Sequence, residues 1–256
     1  MSPACVLVFD DEPHIGGRVD AVAEAAMTTG ILTTLHGEAR DRMSEHRPEP
    51  ASEERRRSWD ERHAASHPIE ASHPDPLLVR EAERLAPGRA IDIACGDGRN
   101  AVWLAERGWR VTGVDFSAVA LHRARQRAER AGVEIDWRQH DVVEWTPAES
   151  AFDLVSLIYL QLPPEERTGV LARAARALAP GGRVVVVGHH RRNPDVGGHG
   201  PRDLHVLHDP DEIAAELAGG EGDDPGRLVV ERAEEVFTED EGGPRIDSLV
   251  VARRDA

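Results

Sequence analysis

The chain has 256 residues, a length that suits one large domain or one domain with an appendage, and a formal charge of -16. This acidic balance argues against a nucleic-acid partner, because phosphate backbones attract basic surfaces. There is no apolar run long enough to cross a bilayer, no signal-peptide pattern, and no disulfide framework or metal motif around Cys5 and Cys95. We expect a cytoplasmic monomer or homodimer without a bound metal, a nucleic-acid partner or a membrane partner.

Residues 1–57 are predicted to lie outside the folded domain, which then spans 58–256. A short strand at 6–9 and a small helix at 19–35 are indicated, but they do not complete a domain. Residues 44–57 are rich in Glu, Arg and Pro, a composition typical of disorder. Two explanations stay open: a disordered appendage, or an over-extended reading frame whose true start is Met43.

Strands and helices alternate from Ser58 onward. The apolar runs predict strands at 90–94, 109–114, 133–138, 152–159, 183–187, 228–237 and 246–252. Helices are predicted from Ser58 and over 74–85, 100–107, 118–130, 165–178 and 209–217. This alternation predicts an α/β fold with a parallel sheet between two helical layers, and the last two strands suggest an antiparallel pair at its edge.

A nucleotide site is indicated where three of these strands end. Residues 92–100 leave the first strand and enter a helix, and Gly96 and Gly98 permit a tight turn with close approach of a ligand. Asp115 ends the second strand and can accept hydrogen bonds from both ribose hydroxyls, while Asp141, after the third, can accept one from an adenine amino group. Ligands of open α/β sheets bind at this carboxyl edge.

A dinucleotide enzyme is the main competing interpretation. Gly96, Gly98 and Ala101 also fit the looser dehydrogenase fingerprint, and Asp115 follows at a suitable distance. Asp92, however, would be an awkward charge beside a pyrophosphate, and no second half-sheet with a substrate domain follows. An NAD(P)-dependent oxidoreductase therefore remains the alternative.

Five motifs occur in order: DIACGDGRN at 92–100, VDFS at 114–117, HDV at 140–142, FDLV at 152–155 and LAPGG at 178–182. With them, residues 59–254 resemble class I S-adenosylmethionine-dependent methyltransferases, in particular the small-molecule group of tellurite-resistance and thiopurine methyltransferases. The resemblance implies a Rossmann-like, doubly wound, mostly parallel seven-stranded sheet with a reversed last strand. It also implies S-adenosylmethionine as cofactor and methyl transfer, by in-line displacement, to a small molecule such as a thiol or a chalcogen oxyanion.

The resemblance also implies roles for the matched residues. The first motif would hold the methionine portion, the second the ribose and adenine, and the third the adenine edge, while the fourth strand would end near the sulfonium and a segment around Trp59 would fold over the cofactor. The implied cofactor contacts are Trp59, Arg62, Asp92, Ala94, Cys95, Gly96, Gly98, Asn100, Asp115, Phe116, Ser117, Asp141, Val142, Leu157 and Ile158. A non-catalytic protein that binds S-adenosylmethionine remains a further alternative.

Acceptor chemistry is expected at the ends of the fourth and fifth strands. His189 and His190 follow the fifth strand, and either is a candidate to accept the acceptor's proton. Arg191 and Arg192 would hold an anionic acceptor, and Tyr159 would line its pocket. The competing interpretation of 189–192 is a solvent-exposed polar loop. Cys95 is expected to be a small buried residue behind the cofactor turn and not a nucleophile.

Overall fold

The structure, a computed structural model, describes residues 51–65, 73–198, 200–219, 228–240 and 243–255. The strand expected at 6–9 and the helix expected at 19–35 lie outside these residues. In chain order the elements are α1 (Ala51–Ala65), α2 (Pro76–Ala82), β1 (Arg89–Ile93), α3 (Arg99–Glu106), β2 (Arg110–Asp115), α4 (Ala118–Ala131), β3 (Asp136–Gln139), β4 (Phe152–Ile158), α5 (Pro164–Ala177), β5 (Leu178–His189), α6 (Pro210–Ala218), β6 (Leu228–Asp240) and β7 (Gly243–Arg254).

The strands form one seven-stranded sheet in the order β3-β2-β1-β4-β5-β7-β6. Strands β1 to β5 are parallel, and β7 runs antiparallel to both β5 and β6. The predicted fold class, a mostly parallel seven-stranded sheet with a reversed last strand, is confirmed. The carboxyl ends of the central parallel strands consequently meet at one edge.

The core lies on both faces of the sheet, as its sequence pattern predicts. Along β5, Val184 and Val186 pack in the cluster beneath α5 and α6, whereas Val185 and Val187 pack in the cluster on the opposite face. Alternate side chains of a strand point to opposite faces, so a run of four valines is what a strand buried on both sides requires.

The amino-terminal helix begins earlier than expected. Helix α1 starts at Ala51 and not near Ser58, so the prediction of disorder is wrong for 51–57; the rest of the 44–57 stretch lies outside the described residues. Helix α1 is polar on all sides and has no apolar stripe to reveal it. Its Arg55 reaches Glu166 of α5, with 2.6 Å between Nη1 and Oε2, so a distant ion pair helps to hold it.

Strand β5 also begins earlier than the predicted strand at 183–187, because the LAPGG segment is itself extended and β5 starts at Leu178. Leu178 pairs with Phe152 of β4, and the register shifts between Phe152 and Leu154.

On the face that carries α5 and α6, buried Arg167 forms a bidentate pair with Glu216, at 3.2 and 2.5 Å. That pair joins α5, which packs on β4 and β5, to α6, which packs on β6 and β7.

Candidate active site

A cavity of about 810 Å³ opens at the carboxyl edge of the parallel strands. It runs from the turn after β1 and the end of β2 to the ends of β4 and β5. The predicted cofactor residues that line it are Trp59, Ala94, Cys95, Gly96, Asn100, Asp115, Phe116, Asp141, Val142 and Ile158. The others, Arg62, Asp92, Gly98, Ser117 and Leu157, lie outside this lining.

The turn after β1 is tied to the end of β2. Ala94 and Gly96 both have positive φ angles, 58° and 55°, which curve the backbone between the strand and α3. The Gly96 N–H donates to Asp115 Oδ2 at 2.8 Å, and the Ser117 N–H donates to Oδ1 at 2.9 Å. Burial raises the pKa of Asp115 above its usual range, although both N–H donors oppose that shift. The carboxylate is therefore held rigidly at the cavity wall.

Asp92 lies behind this turn and is almost fully buried. Ser156 Oγ donates to its Oδ1 at 2.7 Å, whereas its Oδ2 accepts no hydrogen bond from the described residues. Burial raises the pKa of Asp92 to about 7, with the Ser156 hydrogen bond and the charge of Arg99 acting in the opposite direction. A buried carboxylate oxygen without a partner fits a cationic ligand group, such as the ammonium of a bound amino acid.

Gly98 has a packing role that the sequence pattern did not reveal. Its φ is 76°, and a Cβ there would lie 2.7 Å from the Trp137 ring. A Cβ on Gly113 would likewise lie 2.5 Å from a carbon of the same ring. Both glycines therefore make room for Trp137, and Gly98 stands behind the ligand turn.

Cys95 and Asn100 line the cavity but have structural partners. Burial raises the pKa of the Cys95 thiol well above its usual value, which disfavours the nucleophilic thiolate. Asn100 Oδ1 accepts a hydrogen bond from the backbone N–H of Asp75 at 2.8 Å, and Asp75 in turn caps α2. Asn100 thus fixes the position of residues 73–76, which lead into α2 and line the cavity.

Helix α1 crosses the cofactor end of the cavity. Arg55, Trp59 and His63, on successive turns, line it, and Ser117 Oγ donates to Asp60 Oδ1 at 2.5 Å. The guanidinium of Arg62 lies 4.9 Å from the centre of the Trp59 ring, so Arg62 supports Trp59 from behind. The helix is held at Ser117 on one side and, through Arg55, at Glu166 on the other.

The expected adenine side is formed by the loop after β3. Asp141 Oδ1 accepts a hydrogen bond from the Val143 N–H at 2.9 Å. The carbonyls of Val142 and Val143 accept hydrogen bonds from Arg173 at 3.0 and 2.7 Å. The loop is therefore fixed by α5, and Arg173 was not among the residues that the motifs indicated.

The other end of the cavity contains a cluster that the sequence revealed only in part. Tyr159 and His189 both line it, their ring centres 4.7 Å apart. Tyr159 Oη donates to Asp247 Oδ2 at 3.1 Å, Arg245 Nε donates to the same oxygen at 2.6 Å, and His189 Nδ1 lies 3.4 Å from Oδ1. Burial alone would raise the pKa of Asp247, but its contacts with His189 and Arg245 outweigh burial and lower it.

His190 does not join this cluster. It directly follows β5 and continues the pairing with β7, since its N–H donates to the Ile246 carbonyl at 3.0 Å; it lies outside the cavity lining and is 2% exposed. Its Nδ1 accepts a hydrogen bond from the Arg192 N–H at 3.1 Å, and burial lowers its pKa. The prediction that His190 is a candidate base is therefore wrong, because neighbouring residues of a strand face opposite sides.

The two arginines expected to hold an anionic acceptor are engaged elsewhere. Arg191 pairs with Asp209 and Glu212 at 3.3 and 2.6 Å, and Arg192 pairs with Glu235 at 2.9 Å. Neither lines the cavity. Two other arginines line the expected acceptor end: Arg245 of β7, which the motifs did not indicate, and Arg99, whose guanidinium lies 5.9 Å from the centre of the Tyr159 ring.

Within the described ranges, no helix has both the length and the apolar character that a membrane crossing needs. The same part of the chain holds no cluster of three or more His, Cys, Asp or Glu side chains arranged for a metal ion.

Comparison with known proteins identifies the domain. A family model described as a methyltransferase domain matches residues 90–182, from β1 into β5. Residues 90–182 belong to a methyltransferase domain, in agreement with the class I S-adenosylmethionine-dependent methyltransferases that the five motifs resemble. The resemblance that the five motifs indicated is thereby confirmed at family level, together with the cofactor it implies.

Two matches to curated relatives each extend over about two-fifths of this chain. The demethylmenaquinone methyltransferase of Thermus thermophilus is 36% identical over 104 residues, 40% of this chain and 47% of the relative. The ubiquinone biosynthesis O-methyltransferase of Alkalilimnicola ehrlichii is 39% identical over 99 residues, 38% and 40% of the two chains. The chain thus spans about half the length of the curated relatives it matches, and these names do not single out the tellurite-resistance and thiopurine group.

A solved structure matches over a longer stretch. The N-methyltransferase NodS from Bradyrhizobium japonicum, in complex with S-adenosyl-L-homocysteine, superposes with a TM-score of 0.60 at 20% identity. The match covers 78% of this chain and 98% of NodS. At that identity the likeness supports the fold of the methyltransferase domain and not its acceptor.

Proposed function

We propose that the protein transfers a methyl group from S-adenosylmethionine to a small-molecule acceptor by direct in-line displacement. The supporting observation is one cavity of about 810 Å³ that joins the turn around Gly96 and Asp115 to the cluster around Tyr159 and His189. Pockets of this size commonly enclose a small ligand. A cofactor and an acceptor placed at the two ends would meet beside the end of β4.

The residues at the first end suit the parts of S-adenosylmethionine. Asp115 would accept hydrogen bonds from the ribose hydroxyls, and the negative charge of Asp92 would balance the ammonium group of the methionine portion. Asp141 and the Val142 backbone would form hydrogen bonds with the edge of the adenine ring. Trp59 of α1 would cover the bound molecule. The cofactor supplies a methyl group on a sulfonium, which is already a strong electrophile, so these residues need mainly to orient it and exclude water.

The acceptor class is open between two chemistries. The family resemblance favours a thiol or a chalcogen oxyanion, which needs little help from a base. The relatives, in contrast, are named for methylation in menaquinone and ubiquinone synthesis, which favours a ring-bearing acceptor. Leu160 and Leu162 add apolar lining to the cavity, which suits a ring.

Calorimetry and a transfer assay test this function. S-adenosylmethionine and S-adenosylhomocysteine should bind and NAD should not, and the methyl group should pass to a member of a panel of thiols, chalcogen oxyanions and phenols. Binding of NAD alone would support the oxidoreductase alternative. Tight cofactor binding without transfer to any of the panel would support a non-catalytic binding protein.

We expect the binding of S-adenosylhomocysteine to release protons near pH 7. The pKa of Asp92 is raised to about 7, so about half of its carboxyl groups carry a proton at that pH. A bound ammonium would favour the ionised form and lower this pKa, so affinity should rise as pH increases from about 6 to 8. Calorimetry in two buffers of different ionisation enthalpy measures the released protons.

The matched variant for this measurement is Asp92→Asn, which keeps a partner for Ser156 but cannot ionise. It should bind with no release of protons from this site and with a flat affinity over the same pH range. An equal proton release from the wild type and the variant would mean that Asp92 does not sense the cofactor.

A further inference from the structure

Asp247 is fully buried outside the cavity lining, yet it touches three side chains that line the cavity. These are Tyr159, His189 and Arg245. The contact with His189 follows from the sheet, because β7 is antiparallel to β5 and the two residues are direct partners in the register. Tyr159 is brought to the same place by β4, where its N–H donates to the carbonyl of Val187 at 2.7 Å.

The two oxygens of Asp247 have different partners. Oδ2 accepts hydrogen bonds from Tyr159 and Arg245, while Oδ1 faces Nδ1 of His189 at 3.4 Å. An ionised carboxylate can only accept hydrogen bonds, so it favours the tautomer in which Nδ1 carries the hydrogen. The lone pair of a neutral His189 ring is then on Nε2.

We propose that His189 is the general base of the methyl transfer, that Asp247 is its positioning residue, and that the acceptor is a phenolic hydroxyl. This inference rests on the proposed function and specifies its acceptor. Thiols ionise at about pH 8.5, below phenols, and chalcogen oxyanions are already charged, so both depend less on such a pair. A phenol, which ionises near pH 10 like tyrosine, does need one.

The proposed step balances in atoms and charge. Nε2 of His189 takes the hydroxyl proton while an oxygen lone pair of the phenol forms the bond to the methyl carbon. The carbon–sulfur bond breaks, and its electron pair stays on sulfur as a neutral thioether. Asp247 offsets the positive charge of the resulting imidazolium, and His189 then returns the proton to solvent.

A graded series of acceptors distinguishes this role from a structural one. Wild type, His189→Gln and Asp247→Asn are assayed with S-adenosylmethionine and para-substituted phenols from 4-methoxyphenol to 4-nitrophenol at about pH 8. With 4-methoxyphenol, His189→Gln should lower kcat about 10²- to 10⁴-fold. The deficit should shrink steadily toward 4-nitrophenol, which ionises without a base, and the affinity for S-adenosylhomocysteine should be unchanged.

Controls and contrary results are equally specific. His190→Gln alters the neighbouring histidine, which lies outside the cavity lining, and should keep the wild-type profile. Asp247→Asn should show the same dependence of kcat on the acceptor as His189→Gln, with smaller losses. If Asp247→Asn does not fold, His189→Gln alone decides.

The inference would be overturned if His189→Gln lowered kcat equally for all phenols, or if the wild type methylated thiols but no phenol. Either result would leave the proposed function standing. If the wild type does not bind S-adenosylmethionine, or transfers its methyl group to no acceptor, the proposed function itself is contradicted.

Discussion

Replacement of Asp115 by alanine should weaken the binding of S-adenosylhomocysteine by about 1–3 kcal/mol, or about 5- to 150-fold. Its carboxylate lines the cavity and is held by two backbone N–H groups, of Gly96 and Ser117. Such a fixed, charged acceptor can bind ribose hydroxyls without a large ordering cost. Calorimetry with the wild type and the variant measures the difference directly.

The control is Asp136→Ala on the neighbouring strand β3. That carboxylate is half-exposed and pairs with Arg138, so its removal should change the affinity less than about twofold. Asp115→Asn is a second variant: both carboxylate oxygens face N–H donors, so an amide cannot satisfy both and should loosen the turn as well. If Asp115→Ala folds normally and binds as tightly as the wild type, Asp115 does not hold the ribose.

Removal of Glu216 should have the largest effect on stability, a loss of about 3 kcal/mol in the free energy of unfolding for Glu216→Ala. The Arg167 side chain is 3% exposed, and Glu216 is its bidentate partner between α5 and α6. Without Glu216, a buried guanidinium would lose its counter-charge. Urea denaturation followed by circular dichroism measures the change.

A pair of the same geometry at the surface provides the comparison. Arg183 and Glu231 are also bidentate, at 2.8 and 3.2 Å, but each is about one-third exposed. Glu231→Ala should therefore cost no more than about 1 kcal/mol, even though Glu231 also contacts Arg253. Equal losses for the two variants would show that burial does not set the strength of the Arg167 pair.

Most of the sheet could be predicted because its strands are read from local pattern. The valines at 184–187 indicate a strand buried on both faces without any knowledge of its neighbours. Helix α1 shows the limit of that approach. Its sequence has no apolar stripe, and the contact between Arg55 and Glu166 joins residues that are 111 positions apart. No local signal reports such a contact.

The cofactor end was likewise more predictable than the acceptor end. Its residues follow strands that run in one direction, so Gly96, Asp115 and Asp141 share an edge as soon as the strands are recognised. His189 and His190 could not be separated in this way, because the pattern of β5 predicts opposite faces but not which face opens to the cavity. Asp247 depends on the register of an antiparallel partner, and its one visible sign is a carboxylate within the apolar run at 246–251.

The reversed direction of β7 determines which of its residues lie at the cavity. Because β7 runs antiparallel to β5, its first residues, and not its last, lie at the edge of the sheet where the parallel strands end. Arg245 lies there, opposite Thr238 of β6 in the same hairpin, and both line the cavity. Substitutions at these two positions would change the cavity wall near Tyr159 and His189 and leave the region around Asp115 unchanged. Under the proposed function, the choice of acceptor can therefore be altered through β6 and β7 without altering the residues proposed to bind the cofactor.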